Sequence, residues 1–275
     1  MITMANCSRR STLDLIDIGL NLTHDSFDRD RDDILARAAA VGVTGMLITG
    51  SDLAHSRAAL ELARTHADRL RCTAGFHPHH AKDFQADRDV PALRELLADP
   101  LVVAAGECGL DYFRNFSTHD QQEHAFRRQL ELAIETGKPV FLHERDAHDS
   151  FVEILSDYLP QLRGGVAHCF TGSAEQARKY VEMGLYVGIT GWICDERRGG
   201  ALREAVREIP SDRLLIETDA PYLIPRDLKP KPKLHRNEPM FLPAVLNKLA
   251  ECRGDTAEQL ATATTSNARR LFGWP

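Results

Sequence analysis

The sequence lacks cysteine pairs and long apolar runs. Its 275 residues include six scattered cysteines, and none of them form a C-x-x-C pair. A chain of this length buries enough core to need no disulfide staples, so the cysteines indicate a reducing compartment, and we expect a cytoplasmic location. Met1–Thr12 carries Arg9 and Arg10 with no apolar run behind them. We therefore expect neither a signal peptide nor a membrane span there, and we predict a disordered N-terminal extension.

The sequence also lacks an excess of positive charge. It has 34 Lys and Arg against 40 Asp and Glu, which gives a formal net charge of −6. The protein as a whole will therefore not attract a polyanion, and a site for nucleic acid has to be a local basic patch.

Linkers and low-complexity tracts are missing too, so we predict that residues 13–275 form one domain.

Short apolar runs alternate with longer amphipathic segments along the chain. This alternation predicts an α/β fold with a parallel sheet, and the number of repeats favours a closed (β/α)8 barrel of the TIM type over a doubly wound open sheet. The predicted strands are Leu13–Asp17, Gly45–Thr49, Leu70–Ala74, Val102–Gly106, Pro139–His143, Gly165–His168, Tyr186–Thr190 and Leu214–Glu217. The predicted helices are Asp28–Val41, Asp52–Thr65, Pro91–Ala98, Asp120–Thr136, Asp146–Tyr158, Ser173–Met183, Leu202–Ile209, Pro239–Glu251 and Thr256–Phe272.

Chelating side chains fall at the C-terminal ends of four predicted strands. Glu107 follows the fourth strand, and His143 and His168 close the fifth and sixth. Asp219 lies just beyond the eighth. A barrel brings these positions together on the face where barrel enzymes keep their active sites. One such residue is usually a cap or a solvated side chain, but four together favour a divalent-metal site.

A divalent ion at this face would suit phosphodiester hydrolysis. It would polarise a phosphoryl oxygen and activate water, and Asp219 would suit the general base. Asp17, at the end of the first predicted strand, is a weaker candidate because an Asp there often binds backbone amides. Cys108 and Cys169 adjoin two of the chelating residues, but adjacent strand residues point to opposite faces, so we expect both to pack rather than bind metal.

The loops at the same face carry candidate substrate contacts. His77, after the third strand, is placed to contact a phosphate, whereas we expect His79 and His80 to be solvated. Arg145 and Lys231 could reach the same mouth. The basic residues of the last two loops are Arg197, Arg198, Arg226, Lys229, Lys231, Lys233 and Arg236, and the alternative for them is a solvated face. The aromatic residues that could stack on unpaired bases, or simply pack the mouth, are Phe113, Phe116, Trp192 and Tyr222.

At these residues the sequence resembles the TatD family of metal-dependent deoxyribonucleases along nearly its whole length. The matching stretches are Gly75-Phe-His-Pro-His79, Gly106-Glu-Cys-Gly-Leu-Asp111, Pro139-Val-Phe-Leu-His143, Arg145-Asp-Ala147, His168-Cys-Phe-Thr-Gly172 and Glu217-Thr-Asp-Ala-Pro-Tyr222. Two further stretches, Gly191–Gly199 and Pro225–Lys231 with Arg236–Pro239, narrow the resemblance to the branch that gives the family its name.

The resemblance implies a TIM-type barrel and a nuclease that trims single-stranded DNA or RNA from the 3′ end, with magnesium as the favoured ion and a part in DNA repair. Glu107, His143 and His168 match the family's metal ligands, and Asp219 matches its catalytic aspartate. His77, Arg145, Trp192 and Lys231 remain our predicted substrate contacts. No membrane or obligate protein partner is expected, and a monomer is the default.

The first strand departs from the family pattern. Most members carry His-x-His there, and this chain has Gly19 and Asn21 at the two positions. Glycine offers no ligand and asparagine only a neutral oxygen, so zinc loses more affinity than Mg²⁺, with Mn²⁺ also possible. We therefore hypothesise one ion at Glu107, His143 and His168 and a weak second site near Asp219 and Asn21.

Two other functions compete with the nuclease. One is an amidohydrolase-like barrel enzyme that cuts amide or ester bonds, including D-aminoacyl-tRNA. Glu107, where many such enzymes have a modified lysine, and the missing His-x-His both weigh against it. The other is a non-catalytic nucleic-acid-binding relative, which only Gly19 and Asn21 support.

Overall fold

Eight parallel strands laid side by side in sequence order form the wall of the molecule. The computed structural model describes residues 13–232 and 235–274. The strands are β1 (Leu15–Leu20), β2 (Val43–Ile48), β3 (Leu70–Ala74), β4 (Val102–Asp111), β5 (Val140–Arg145), β6 (Gly165–Ala167), β7 (Tyr186–Ile189) and β8 (Leu214–Ile216). The predicted (β/α)8 barrel is therefore confirmed. The expectation for Met1–Thr12 concerns residues outside this described part.

The wall closes between β1 and β8 with the help of a buried carboxylate. Leu20 forms a parallel bridge with Ala220 at the top of the seam. Below it, Asp17 accepts a hydrogen bond from the backbone N–H of Thr218 at 2.9 Å and another from its hydroxyl at 2.5 Å. Burial raises the pKa of Asp17 to about 7, against the effect of these hydrogen bonds. Asp17 thus stabilises the closure of the barrel, and both of its carboxylate oxygens are used by Thr218 rather than offered to a metal ion.

The helices lie mostly between the strands. They are α1 (Arg31–Ala40), α2 (Leu53–Thr65), α3 (Ala86–Leu97), α4 (His119–Thr136), α5 (His148–Tyr158), α6 (Ala174–Glu182), α7 (Gly200–Glu208), α8 (Leu242–Arg253) and α9 (Ala257–Phe272). Ser173 and Thr256, the first residues of two predicted helices, both form capping boxes. The predicted start of α3 at Pro91 was wrong. The helix begins at Ala86, where the buried Asp89 carboxylate accepts from the backbone N–H of Gln85 at 2.7 Å.

The end of the chain plugs the N-terminal end of the barrel. After α9 the backbone turns at Gly273 with φ of 62°, a left-handed conformation that glycine adopts without strain. Trp274 then packs, only 7 % exposed, with side chains that point into the barrel. This closure leaves the opposite end, where the strands finish, as the open mouth. Among the residues that the structure describes, no helix is both long and apolar enough to span a bilayer.

Three strands continue past their predicted ends toward the mouth. β1 reaches Leu20, β4 reaches Asp111 and β5 reaches Arg145. Glu107 therefore lies within β4 rather than after it. The pairing register of β4 with β5 shifts between Gly106 and Cys108, so Glu107 is the extra residue of a β-bulge. Its backbone N–H donates to the carbonyl of Gly50 at 2.9 Å.

Candidate active site

One carboxylate oxygen gathers three imidazoles at the mouth. Oε1 of Glu107 lies 2.7 Å from Nε2 of His168, 3.0 Å from Nδ1 of His143 and 3.2 Å from Nε2 of His77. Glu107 is only 6 % exposed. The structure thus brings together Glu107, His143 and His168 as predicted, and it adds His77, which we expected only to contact phosphate.

The charges in this cluster are strongly coupled. Burial alone would raise the pKa of Glu107, but the neighbouring imidazoles lower it well below its usual value. Burial works against protonation of His168, yet Glu107 and Glu217 hold its pKa well above normal. The pKa of His143 is also raised, because the nearby carboxylates of Asp111 and Glu107 outweigh its burial. By contrast, burial lowers the pKa of His77 to about 4, so this imidazole is neutral.

These side chains fit a divalent cation. Ligand atoms of His77, Glu107 and His143 lie within 4.8 Å of one another. Nε2 of His143 is buried without a hydrogen-bond partner, and the nearest carboxylate oxygen, on Asp111, is 3.6 Å away. A buried imidazole nitrogen rarely stays unpaired. A cation would replace the protons that now separate the imidazoles from Glu107, since metal ligands bind in their deprotonated forms.

Asp219 sits beside this cluster at the end of β8. Its backbone is left-handed, with φ of 53°, and its Oδ1 accepts a hydrogen bond from Nδ2 of Asn21 at 3.0 Å. Removal from water raises the pKa of Asp219 to about 7, although the charge of His168 opposes this. The oxygen of Asn21 instead accepts from the Thr49 hydroxyl at 2.9 Å. Asn21 therefore presents its amide hydrogens to Asp219, which argues against a second ion bound through its oxygen.

Three residues of this region escaped the sequence reasoning. Asp111 accepts from Nε2 of His79 at 2.6 Å. Burial would raise the pKa of Asp111, but the nearby imidazoles of His143 and His79 hold it below its usual value. His79 also packs edge-on against His77, and 30% of its side chain stays exposed, so it is a partner of Asp111 as well as a loop residue. Glu217, completely buried, lies 3.3 Å from Nδ1 of His168. Asp111 stands four residues beyond Glu107 in one motif, which was the available signal.

The predicted substrate contacts divide into free and engaged groups. The guanidinium of Arg145 lies 4.1 Å from the Phe113 ring centroid, and that of Arg198 lies 4.3 Å from the Trp192 ring centroid. Lys229 and Lys231 are exposed on the loop after β8, whereas Lys233 lies outside the described residues. The exposed aromatics at the mouth are Phe113, Phe116 and Tyr222, each more than half exposed.

Other basic residues of these loops are committed to ion pairs. Arg236 binds Asp30 and Glu238, both at 2.7 Å, and its side chain is only 13 % exposed. It ties the long loop to the start of α1 and is not a phosphate contact. Arg198 and Arg226 both lie 3.0 Å from one oxygen of the buried Asp195. The local positive charge at the mouth is therefore smaller than the sequence suggested, because buried acids offset part of it.

A parallel barrel with imidazoles and carboxylates gathered at its C-terminal mouth defines a metal-dependent barrel hydrolase. The family described as TatD related DNase matches residues 16–273, and the chain belongs to this family. It is 53% identical over 259 residues to the 3'-5' ssDNA/RNA exonuclease TatD of Erwinia amylovora, covering 94% of this chain and 100% of that protein. The protein of the same name from Escherichia fergusonii is also 53% identical, over 94% of this chain and 99% of its own length.

Solved structures show the same relationship. A TatD homologue from Escherichia coli K12 superposes with a TM-score of 0.86 and 30% identity, covering 95% of this chain and 98% of that one. A TatD family hydrolase from Entamoeba histolytica gives a TM-score of 0.86 at 26% identity over 96% and 99% of the two chains. An uncharacterized amidohydrolase from Saccharomyces cerevisiae gives 0.83 at 25% identity over 94% and 100%.

Proposed function

We propose that this chain is a metal-dependent nuclease that removes nucleotides from the 3′ end of single-stranded DNA and RNA. The observation that carries the proposal is the convergence of His77, His143 and His168 on one oxygen of Glu107 at the mouth of the barrel. The polarity and substrate follow the names of relatives that are 53% identical over 94% of the chain. A role in DNA repair and a location in the cytoplasm are part of the same proposal.

Glu107, His143 and His168 would hold the cation. His77, a neutral imidazole, would lie beside it as a fourth side chain. When bound, the ion supplies Lewis acidity to the phosphate and to the attacking water. Mg²⁺ is the proposed ion in the cell, where it is abundant. The imidazoles favour Mn²⁺ in affinity because nitrogen ligands suit transition metals better than Mg²⁺.

Asp219 would act as the general base. Its raised pKa, about 7, lets the carboxylate accept a proton near neutral pH. The hydrogen bond from Asn21 fixes one carboxylate oxygen and leaves the other to meet the water. The water oxygen attacks phosphorus while Asp219 takes one proton from that water. The bond from phosphorus to the leaving sugar oxygen breaks, and that oxygen takes up a proton from solvent water.

The mouth would hold the strand by stacking and by charge. Phe113, Phe116 and Tyr222 are exposed, although burial in the core is the usual place for such rings. Bases stacked on aromatic side chains contribute roughly 1–3 kcal/mol each, whatever the sequence. Arg145, held over Phe113, and Lys231 would meet phosphates, and Trp192 would add a further ring.

A time course on 5′-labelled single-stranded DNA tests the proposal. Wild type with Mg²⁺ should give a ladder that shortens from the 3′ end, and a chelator or Glu107→Ala should stop it. A 3′-labelled copy should release labelled mononucleotide at once. Internal cuts without mononucleotide would refute the exonuclease.

The amidohydrolase alternative draws on the similarity to the uncharacterized amidohydrolase from Saccharomyces cerevisiae. Amide and ester substrates, with D-aminoacyl-tRNA among them, belong in the same assay. Turnover of these without turnover of oligonucleotides would favour that alternative. Binding of single strands with no turnover of any substrate would favour the non-catalytic relative.

A further inference from the structure

We propose that Glu217 is a positioning residue of the metal centre, seated in the room that a side chain at position 19 would otherwise fill. This rests on the assignment of His168 as a ligand under the proposed function. Oε2 of Glu217 lies 3.3 Å from Nδ1 of His168. Oε1 accepts the backbone N–H of Cys169 at 2.5 Å. The carboxylate is therefore anchored both to the imidazole and to the next residue of the backbone.

The contact decides which nitrogen of His168 is free to bind a cation. A carboxylate only accepts, so Nδ1 donates its N–H to Glu217, and Nε2 is the nitrogen left to bind a cation once the proton that it shares with Glu107 is lost. Nε2 is the atom that faces the site, 2.7 Å from Glu107. Imidazoles that bind metal almost always donate their other N–H to a carboxylate, a carbonyl or water, which fixes the ring and its tautomer.

Two glycines make the room for this carboxylate. A Cβ at Gly19, on β1, would lie 2.1 Å from Oε2 of Glu217, and a Cβ at Gly188, on β7, would lie 2.4 Å from Oε1. Neither backbone is left-handed, so space rather than φ requires glycine at these positions.

The room at Gly19 lies where β1 departs from the family pattern. Gly19 occupies the place of the first histidine of His-x-His. An imidazole there would collide with Glu217 as it is placed in this chain. With no ligand side chain at position 19 and a carboxylate that orients His168, the centre is built for a single tightly held ion.

Calorimetric titration of chelator-treated full-length protein with Mn²⁺ tests the inference without any need for activity. Glu217→Gln keeps the acceptor for Cys169, so its amide nitrogen must face His168 and reverse the tautomer. Gly19→Ala keeps the carboxylate but displaces it. Gly200→Ala is the matched control, because a Cβ there meets nothing within 4 Å. Thermal unfolding checks that each variant folds, and NMR of ¹⁵N-labelled histidines reports the tautomer.

The wild type should bind one Mn²⁺ tightly, and Glu217→Gln and Gly19→Ala should each weaken binding about 10–100-fold. Because both substitutions act through the Glu217 carboxylate, their effects should not add. The double variant should bind Mn²⁺ only slightly less tightly than the single variant that binds it less tightly. Gly200→Ala should bind as the wild type does. If Glu217→Gln fails to fold, Gly19→Ala decides alone.

Wild-type affinity in Glu217→Gln and Gly19→Ala, with affinity lost in His168→Ala, would overturn the role of Glu217 alone. Wild-type affinity in His168→Ala would instead overturn the proposed ligand set, and this inference with it. Two tight ions per chain would contradict the single-ion centre.

Discussion

Replacement of Asp219 by Asn separates the general base from the metal ligands. Asn is isosteric, tolerates the left-handed backbone of φ 53° at this position, and can still accept the hydrogen bond from Asn21. The fold and the Glu107 cluster should therefore survive, and only the proton acceptor is lost. General-base catalysis contributes about 10²–10⁴-fold, or roughly 2.7–5.4 kcal/mol at about 1.36 kcal/mol per factor of ten.

Single-turnover cleavage of 5′-labelled single-stranded DNA, with cation and enzyme both saturating, measures this loss directly. Calorimetry with Mn²⁺ on the same sample provides the control, and its affinity should stay within about threefold of wild type, well under the tenfold that about 1.4 kcal/mol represents. A rate within tenfold of wild type would refute the assignment of Asp219 as the base. A parallel loss of Mn²⁺ affinity would instead make Asp219 a metal ligand.

Four further predictions follow from the same geometry. A general base acts in its deprotonated form, so the cleavage rate should rise with pH as Asp219 loses its proton. Burial raises the pKa of Asp219 to about 7, and a bound cation lowers that pKa, so the midpoint of the rise should lie below 7. The pH–rate profile of wild type should show this rise, and the profile of Asp219→Asn should not. Mn²⁺ at about 100 times its Kd should stabilise wild type by about 2.7 kcal/mol, seen as a rise in Tm, whereas Glu107→Gln should show none, and an equal rise in both would move the ion elsewhere. The double variant of Lys229→Ala and Lys231→Ala should lower the slope of log affinity for single strands against log salt concentration by about 0.7 per lost phosphate contact, without changing Mn²⁺ binding. The control double variant of Arg269→Ala and Arg270→Ala, at the other end of the barrel, should leave this slope unchanged. Equal slopes in the two double variants would show that the lysines do not contact the substrate. Asp17→Ala should cost about 1–3 kcal/mol of unfolding free energy in denaturant titrations, because the buried N–H and hydroxyl of Thr218 lose their acceptor, and Asp17→Asn, which keeps an acceptor for the N–H, should cost less.

The barrel was predictable from the sequence because its signals are local. Each apolar run bounded by turn residues predicts a strand by itself, and eight repeats in order leave few topologies. The start of α3 was not predictable in this way. Proline is common at the first position of a helix, so Pro91 suggested a start there. The helix begins earlier, because the Asp89 carboxylate accepts a hydrogen bond from the backbone N–H of Gln85.

The identities of the clustered residues were predictable, but their partners were not. Glu107, His143 and His168 stand out because the strand ends of a barrel converge. The contact of Glu217 with His168 joins residues 49 positions apart and depends on two absent side chains, at Gly19 and Gly188. In a sequence pattern, a glycine indicates a turn or a missing ligand. The pattern does not show that the glycine leaves space for the side chain of a distant residue. The burial of Arg236 against Asp30 is equally non-local, spanning 206 positions.

The sequence also gave no hint that β4 carries a bulge at Glu107. A regular strand alternates its side chains between the two faces, so one extra residue changes which of them point to the axis. The shift between Gly106 and Cys108 appears only when β4 is paired with β5. The general position of the metal site could therefore be predicted, while its geometry required the structure.

Anomalous diffraction from a crystal soaked in Mn²⁺ tests the central claim most directly. We predict a single strong peak per chain at the mouth of the barrel, in contact with Glu107, His143 and His168. A structure in which these side chains point away from one another, with no anomalous density among them, would contradict the account.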